Sequence, residues 1–240
     1  MLERLVITSA NSKALTAQMV ARAWSTLQVG TAIGTLLLLY ILASFIGIFF
    51  HEEQIPLIRL LTTLLVHAVV MAAIALIVRQ RKCSWSSSFG MGVRQLKTLA
   101  LAPLFYLATL PLLMLALLLQ QRLGIEHELQ DAAKVIAQDV SWLRTLYILT
   151  AIIVAPLFEE LLFRGILLPF LFKHTGPAGG IVLVSILFAS MHFHLPSLAP
   201  LFLLSTMLGL VYWRTGSLWA SIGTHAIFNT VSILAINTSG

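Results

Sequence analysis

The chain has 240 residues, 59% of them hydrophobic and 10% charged, with a mean hydropathy of +0.95. An ordinary soluble domain carries about 25% charged and about 45–50% apolar residues, so a water-soluble globular protein is excluded first. The net charge of +6 is too dilute for a nucleic-acid-binding face, and a single cysteine, Cys83, excludes a disulfide framework or a multi-cysteine metal site.

What remains is a polytopic membrane protein, an all-α helical bundle with about seven (six to eight) transmembrane helices. No charged residue occurs between Ala23 and Phe50, a stretch that at about 1.5 Å per residue can cross a roughly 30 Å hydrocarbon core and reads as a signal anchor. Further apolar runs are Leu60 to Val78, Thr98 to Leu119, Thr145 to Phe172, Gly179 to Phe193, Leu198 to Trp213 and Ser217 to Ile236. The long loop Gln120 to Arg144 has a weakly helical pattern and is placed on the outer surface. The chain thus divides into an N-terminal cytoplasmic or interfacial segment (1–26), N-terminal transmembrane helices (27–144) and a C-terminal transmembrane core (145–236).

Basic residues set the expected orientation. Arg4, Lys13, Arg22, Arg79, Arg81, Lys82, Arg94, Lys97, Lys173 and Arg214 fall on one side, against Arg59, Arg122, Lys134 and Arg144 on the other. The second side also carries Glu52, Glu53, Glu126, Glu128, Asp131 and Asp139. By the positive-inside rule the N-terminus is cytoplasmic.

The fourth run holds the only charges between Arg144 and Lys173: Glu159, Glu160 and Arg164. Each costs about 2.5–3.5 kcal/mol at a helix centre, so partners or a wet cavity must offset them. Glu160 and Arg164 are four apart and can pair on one helix face. Glu159, rotated about 100° from Glu160, is the spare carboxylate. A solvated loop beginning at Pro156 is the bland alternative, opposed by the apolar pattern that continues from Leu161 to Leu168. Two later runs add His192 and the pair His225 and Asn229, the latter one helical turn apart. His194 points away from His192, and His67, alone in the second run, is read as a packing residue.

A carboxylate, two histidines and an amide from separate spans can build a polar site in lipid. The carboxylate can activate water, with imidazole and amide groups donating to the oxyanion that forms at an attacked carbonyl. Glu159, His192 and His225 can alternatively hold a zinc ion that activates the water.

Glu159-Glu160-Leu-Leu-Phe-Arg164, Phe188-Ala-Ser-Met-His192 and His225-Ala-Ile-Phe-Asn229 together resemble the EExxxR, FxxxH and HxxxN motifs of the CAAX prenyl protease and bacteriocin-processing (CPBP, or Abi) family of intramembrane proteases. The resemblance covers about Leu143 to Ile236 and makes 145–236 the catalytic core. It implies Glu159 as catalytic glutamate, with His192, His225 and Asn229 completing the site and Glu160, Arg164 and Phe188 supporting it. It also implies a metal-free mechanism, with zinc as the lesser alternative, and a membrane-associated protein or peptide substrate, prenylated for the eukaryotic members. The expected location is a bacterial plasma membrane. Rival readings are a proton-coupled transporter and a non-catalytic bacteriocin-immunity or partner-binding protein.

Two departures from the family pattern stand out. Its best-studied members are drawn with eight spans, and the span limits here leave His192 about two turns nearer the outer face than Glu159 and His225. Gly30 and Gly34 form a GxxxG, expected to mark close packing within the chain more often than a dimer seam.

Overall fold

The computed structural model describes residues 9–46, 49–51, 54–125, 128–138 and 141–238. Arg4, Glu52, Glu53, Glu126 and Asp139, which entered the charge comparison, lie outside the described residues. The described chain is helical throughout. A short α1 (Ser9–Ala21) precedes α2 (Thr26–Ile46) and α3 (Ile55–Gln80). Two brief helices, α4 (Trp85–Phe89) and α5 (Val93–Leu96), lead through a 3-10 stretch at Lys97–Leu101 into α6 (Ala102–Arg122). α7 (Asp131–Gln138) follows, then α8 (Trp142–Leu149), α9 (Ala155–Glu160), α10 (Leu168–Ser190), α11 (Leu198–Thr215) and α12 (Leu218–Thr238).

Six helical stretches are long and apolar enough to cross a membrane, so the protein is a multi-pass helical bundle. The difference from seven lies in the fourth, a continuous 49-residue run from Trp142 to Ser190. Its backbone breaks at Gly176, with φ 73° and ψ 178°, a conformation open to glycine and costly for other residues. Beyond the break the chain doubles back. A Cβ on Gly180 would sit 3.2 Å from the backbone nitrogen of Phe172, and Phe188 meets Phe163 edge-on at 5.1 Å. Expected spans four and five are therefore the two arms of one hairpin.

The polar loops sort into two sets. Arg22 donates to the Tyr212 hydroxyl and the Gly216 carbonyl, while Thr98 donates to Ser217. At the other end Arg59 pairs with Asp131 at 2.6 Å, Gln120 donates to the Pro196 carbonyl and the Tyr147 hydroxyl to that of Pro56. Residues assigned to one side from the sequence thus meet residues of the same side. The Gln120 to Arg144 loop contributes α7, whose Ile136 is buried against Leu60, Tyr147 and Ile233.

Lipid supplies no hydrophobic drive for helices to associate, so close van der Waals approach matters more. Gly209 on α11 provides it, lying within ordinary contact of Ile181 and Leu168 on α10. Gly30 and Gly34 do not: both are exposed, and among the described residues a Cβ on either would meet nothing within 4 Å. The expected close packing through this GxxxG is absent because that face of α2 points away from the rest of the chain.

Candidate active site

Glu159 and Glu160 end α9, between two distorted stretches, and Arg164 lies within the second of these. Thr150–Val154 and Leu161–Leu167 are π-helical, a local widening common at functional sites. Pro156 explains part of the first. Ala155 N–H bonds the Thr150 carbonyl, five residues back; in that register residue 156 would serve Ala151, and proline has no N–H to give. The helix nevertheless continues through Pro156, so the charges are in a helix and not in a solvated loop.

Glu160 and Arg164 are fully buried and paired at 2.8 Å. Arg164 also donates to the carbonyl and hydroxyl of Ser205 on α11, and its guanidinium lies 4.8 Å from the Phe188 ring centroid. Glu160 accepts from the Ser221 hydroxyl as well. Its remaining partner is His225 Nδ1, at 3.0 Å. A carboxylate paired with a guanidinium accepts hydrogen bonds and cannot donate them, so the His225 proton sits on Nδ1. The opposite ring nitrogen, Nε2, lies 3.9 Å from a Glu159 oxygen. A buried ion pair thereby orients one imidazole toward the spare carboxylate.

The hairpin at Gly176 supplies His192. Residues equidistant from the turn face each other, which brings Phe188 to Phe163 and Arg164 and His192 to the level of Glu159 and Glu160. The expected two-turn offset of His192 is thus removed: a tight reversal, rather than a separate span starting at Gly179, sets its depth. Its Nδ1 lies 2.8 Å from the Phe188 carbonyl. Asn229, expected at the oxyanion, gives a side-chain N–H to the Ala151 carbonyl at 2.7 Å, the acceptor that Pro156 leaves unserved. His194 is engaged with Ser197 at 2.7 Å and takes no part in the site.

Glu159, His192, His225 and Asn229 line one cavity of about 460 Å³. Gln130, Ala133 and Ile136, in and before α7, form part of its wall, as does Arg59. A second cavity of about 480 Å³ also reaches Glu159 and His192. Its walls are mostly apolar, and its rim includes the exposed Leu37, Ile41 and Phe193, so it opens onto the lipid-facing surface. Among the described residues no three His, Cys, Asp or Glu side chains form a group able to hold a metal ion.

Residues 141–231 match the family model described as type II CAAX prenyl endopeptidase Rce1-like. Over this segment the chain is similar to that family of intramembrane proteases, which supports the CPBP resemblance of its three motifs. No curated protein and no solved structure matches the chain. The matched segment runs from the residue before α8 into α12 and contains every site residue expected from the sequence.

Two residues outside the matched segment line both cavities and were not expected there: Tyr40 on α2 and His67 on α3. His67 does pack, stacked on Phe158, but it also lines both cavities and its buried Nδ1 has no hydrogen-bond partner among the described residues. An ionisable residue in the middle of an apolar span was the available signal.

Proposed function

We propose that the chain is a CAAX-type intramembrane endopeptidase in which Glu159 activates the attacking water. The observation that carries this reading is the doubly engaged His225, held by Glu160 on one nitrogen and facing Glu159 with the other. With its proton on Nδ1, His225 presents Nε2 as an acceptor to a water that Glu159 also faces. Glu159 takes one proton from that water as its oxygen bonds the scissile carbonyl carbon. The carbonyl oxygen gains charge and is met by an Asn229 N–H and by His192, which donates from Nε2 only as the imidazolium because its Nδ1–H is given to the Phe188 carbonyl. Glu159 then returns the proton to the departing amine as the carbon–nitrogen bond breaks. The products are a carboxyl and an amine, and no metal enters the steps.

The substrate is a membrane-associated protein or peptide. The apolar second cavity, open to lipid, suits an apolar flank, including a prenyl chain. The chain lies in the plasma membrane of a bacterium with its N-terminus cytoplasmic, a placement supported by ten basic residues on that side against four. In this orientation the cavity beside α7 faces outward.

Purified Glu159→Ala, His192→Ala and His225→Ala proteins test the reading. Each is expected to insert and purify normally and to cleave no peptide. Full activity in Glu159→Ala protein sinks the assignment. Comparing membrane-peptide profiles of cells carrying wild type or Glu159→Ala identifies the substrate.

A further inference from the structure

The two cavities share four lining residues: Tyr40, His67, Glu159 and His192. A peptide that crosses from one cavity to the other over Glu159 passes His67. This junction is where a scissile bond must lie if Glu159 activates the water, so the inference rests on the proteolytic reading.

Packing, and no polar bond, holds His67 in place. Its ring stacks on Phe158 with centroids 3.9 Å apart and planes 23° apart. Phe158 immediately precedes Glu159 in α9, which ties the imidazole to the helical turn that carries the carboxylate. The side chain is 6% exposed. Buried ring nitrogens are usually hydrogen-bonded, as His192 Nδ1 is to the Phe188 carbonyl. Among the described residues His67 Nδ1 has no such partner, and unsatisfied buried polar groups call for an explanation. A leucine would fill this part of α3 without that cost.

We propose that His67 is a substrate-contacting residue, hydrogen-bonding the backbone of the peptide at the junction and holding its carbonyl over Glu159. Nδ1 is enclosed, so Nε2 is the ring nitrogen that can reach a peptide in the cavities, and as donor or acceptor according to tautomer it suits one backbone group of an extended chain. The active site would then be closed by α3, outside the matched segment, as well as by the helices within it.

The test uses the full chain in detergent and a farnesylated, quenched-fluorescent peptide ending in a CAAX sequence. His67→Leu, His67→Gln and Glu159→Ala are compared with wild type by KM, kcat and thermal midpoint. Loss of one substrate hydrogen bond is expected to raise KM about tenfold in His67→Leu, with kcat within about twofold. The thermal midpoint should not fall, because an unpartnered polar group has been removed. His67→Gln keeps a donor and an acceptor and should recover most of the KM. A wild-type KM in His67→Leu overturns the proposal. So does a raised KM that accompanies a lowered midpoint and is not relieved by glutamine. Cleavage by Glu159→Ala overturns the proteolytic reading and this proposal with it. An inactive Glu159→Ala beside a wild-type His67→Leu overturns this proposal alone.

Discussion

Asn229 on α12 gives its side-chain N–H to the carbonyl of Ala151, 2.7 Å away and five residues before Pro156. The proline removes a backbone donor, and an amide from another helix replaces it. This predicts coupling between the two positions. Asn229→Ala strands the carbonyl and should cost about 1–3 kcal/mol of stability. In a Pro156→Ala background residue 156 regains its N–H, and the same substitution should cost less, with a coupling of about 0.5–3 kcal/mol. Unfolding of the four proteins in one detergent measures the cycle; strict additivity would show that the amide does not replace the missing donor.

Glu160 and Arg164 pair where neither has any exposure. Removing one partner leaves a buried charge uncompensated, at about 3–5 kcal/mol. Glu160→Ala and Arg164→Ala should therefore give little folded protein. Replacing both, as Glu160→Gln with Arg164→Met, should recover most of the yield, since an apolar or neutral pair of similar volume is tolerated. Activity should not return with it, because His225 loses the carboxylate that orients it. Normal yield and thermal midpoint in both single variants would contradict the clamp.

Much of this arrangement follows from helical spacing. The four-residue separation of Glu160 from Arg164 puts them on one face wherever the helix lies, and the same holds for His225 and Asn229. What spacing cannot convey is depth and partnership between helices. The level of His192 depends on where the chain reverses, and Gly176-Pro177 marks that point only once the reversal is known to be tight. The bond from Asn229 to Ala151 depends on a π-helical register that an apolar sequence does not announce. His67 looks like any isolated histidine among aliphatic residues; its meaning comes from α3 packing against Phe158, a contact across 91 positions.

The proposed chemistry needs no metal, which gives a direct expectation. Protein exhaustively chelated and then passed free of chelator should keep its cleavage rate, with bound zinc well below one ion per chain. Loss of activity on chelation, restored by zinc and by no other addition, would return the assignment to a metal site built on Glu159, His192 and His225.

Gly176 is the residue that brings His192 to the level of Glu159, and its backbone conformation, φ 73° and ψ 178°, is one that other residues hold only at about 1–3 kcal/mol. Pro177 sharpens the constraint, since it bars the preceding residue from the helical region. An alanine at 176 must either bear that strain or shift the arm that carries Phe188 and His192. Gly176→Ala is thus expected to lower both the thermal midpoint and kcat. Gly30→Ala is the contrasting substitution. It lies in the helical α2, a Cβ there meets nothing within 4 Å among the described residues, and alanine is favoured over glycine inside a helix by roughly 0.5–1 kcal/mol. That variant should be as stable as wild type or more so, with unchanged cleavage. Equal behaviour of the two variants would mean that the reversal at Gly176 does not set the position of His192.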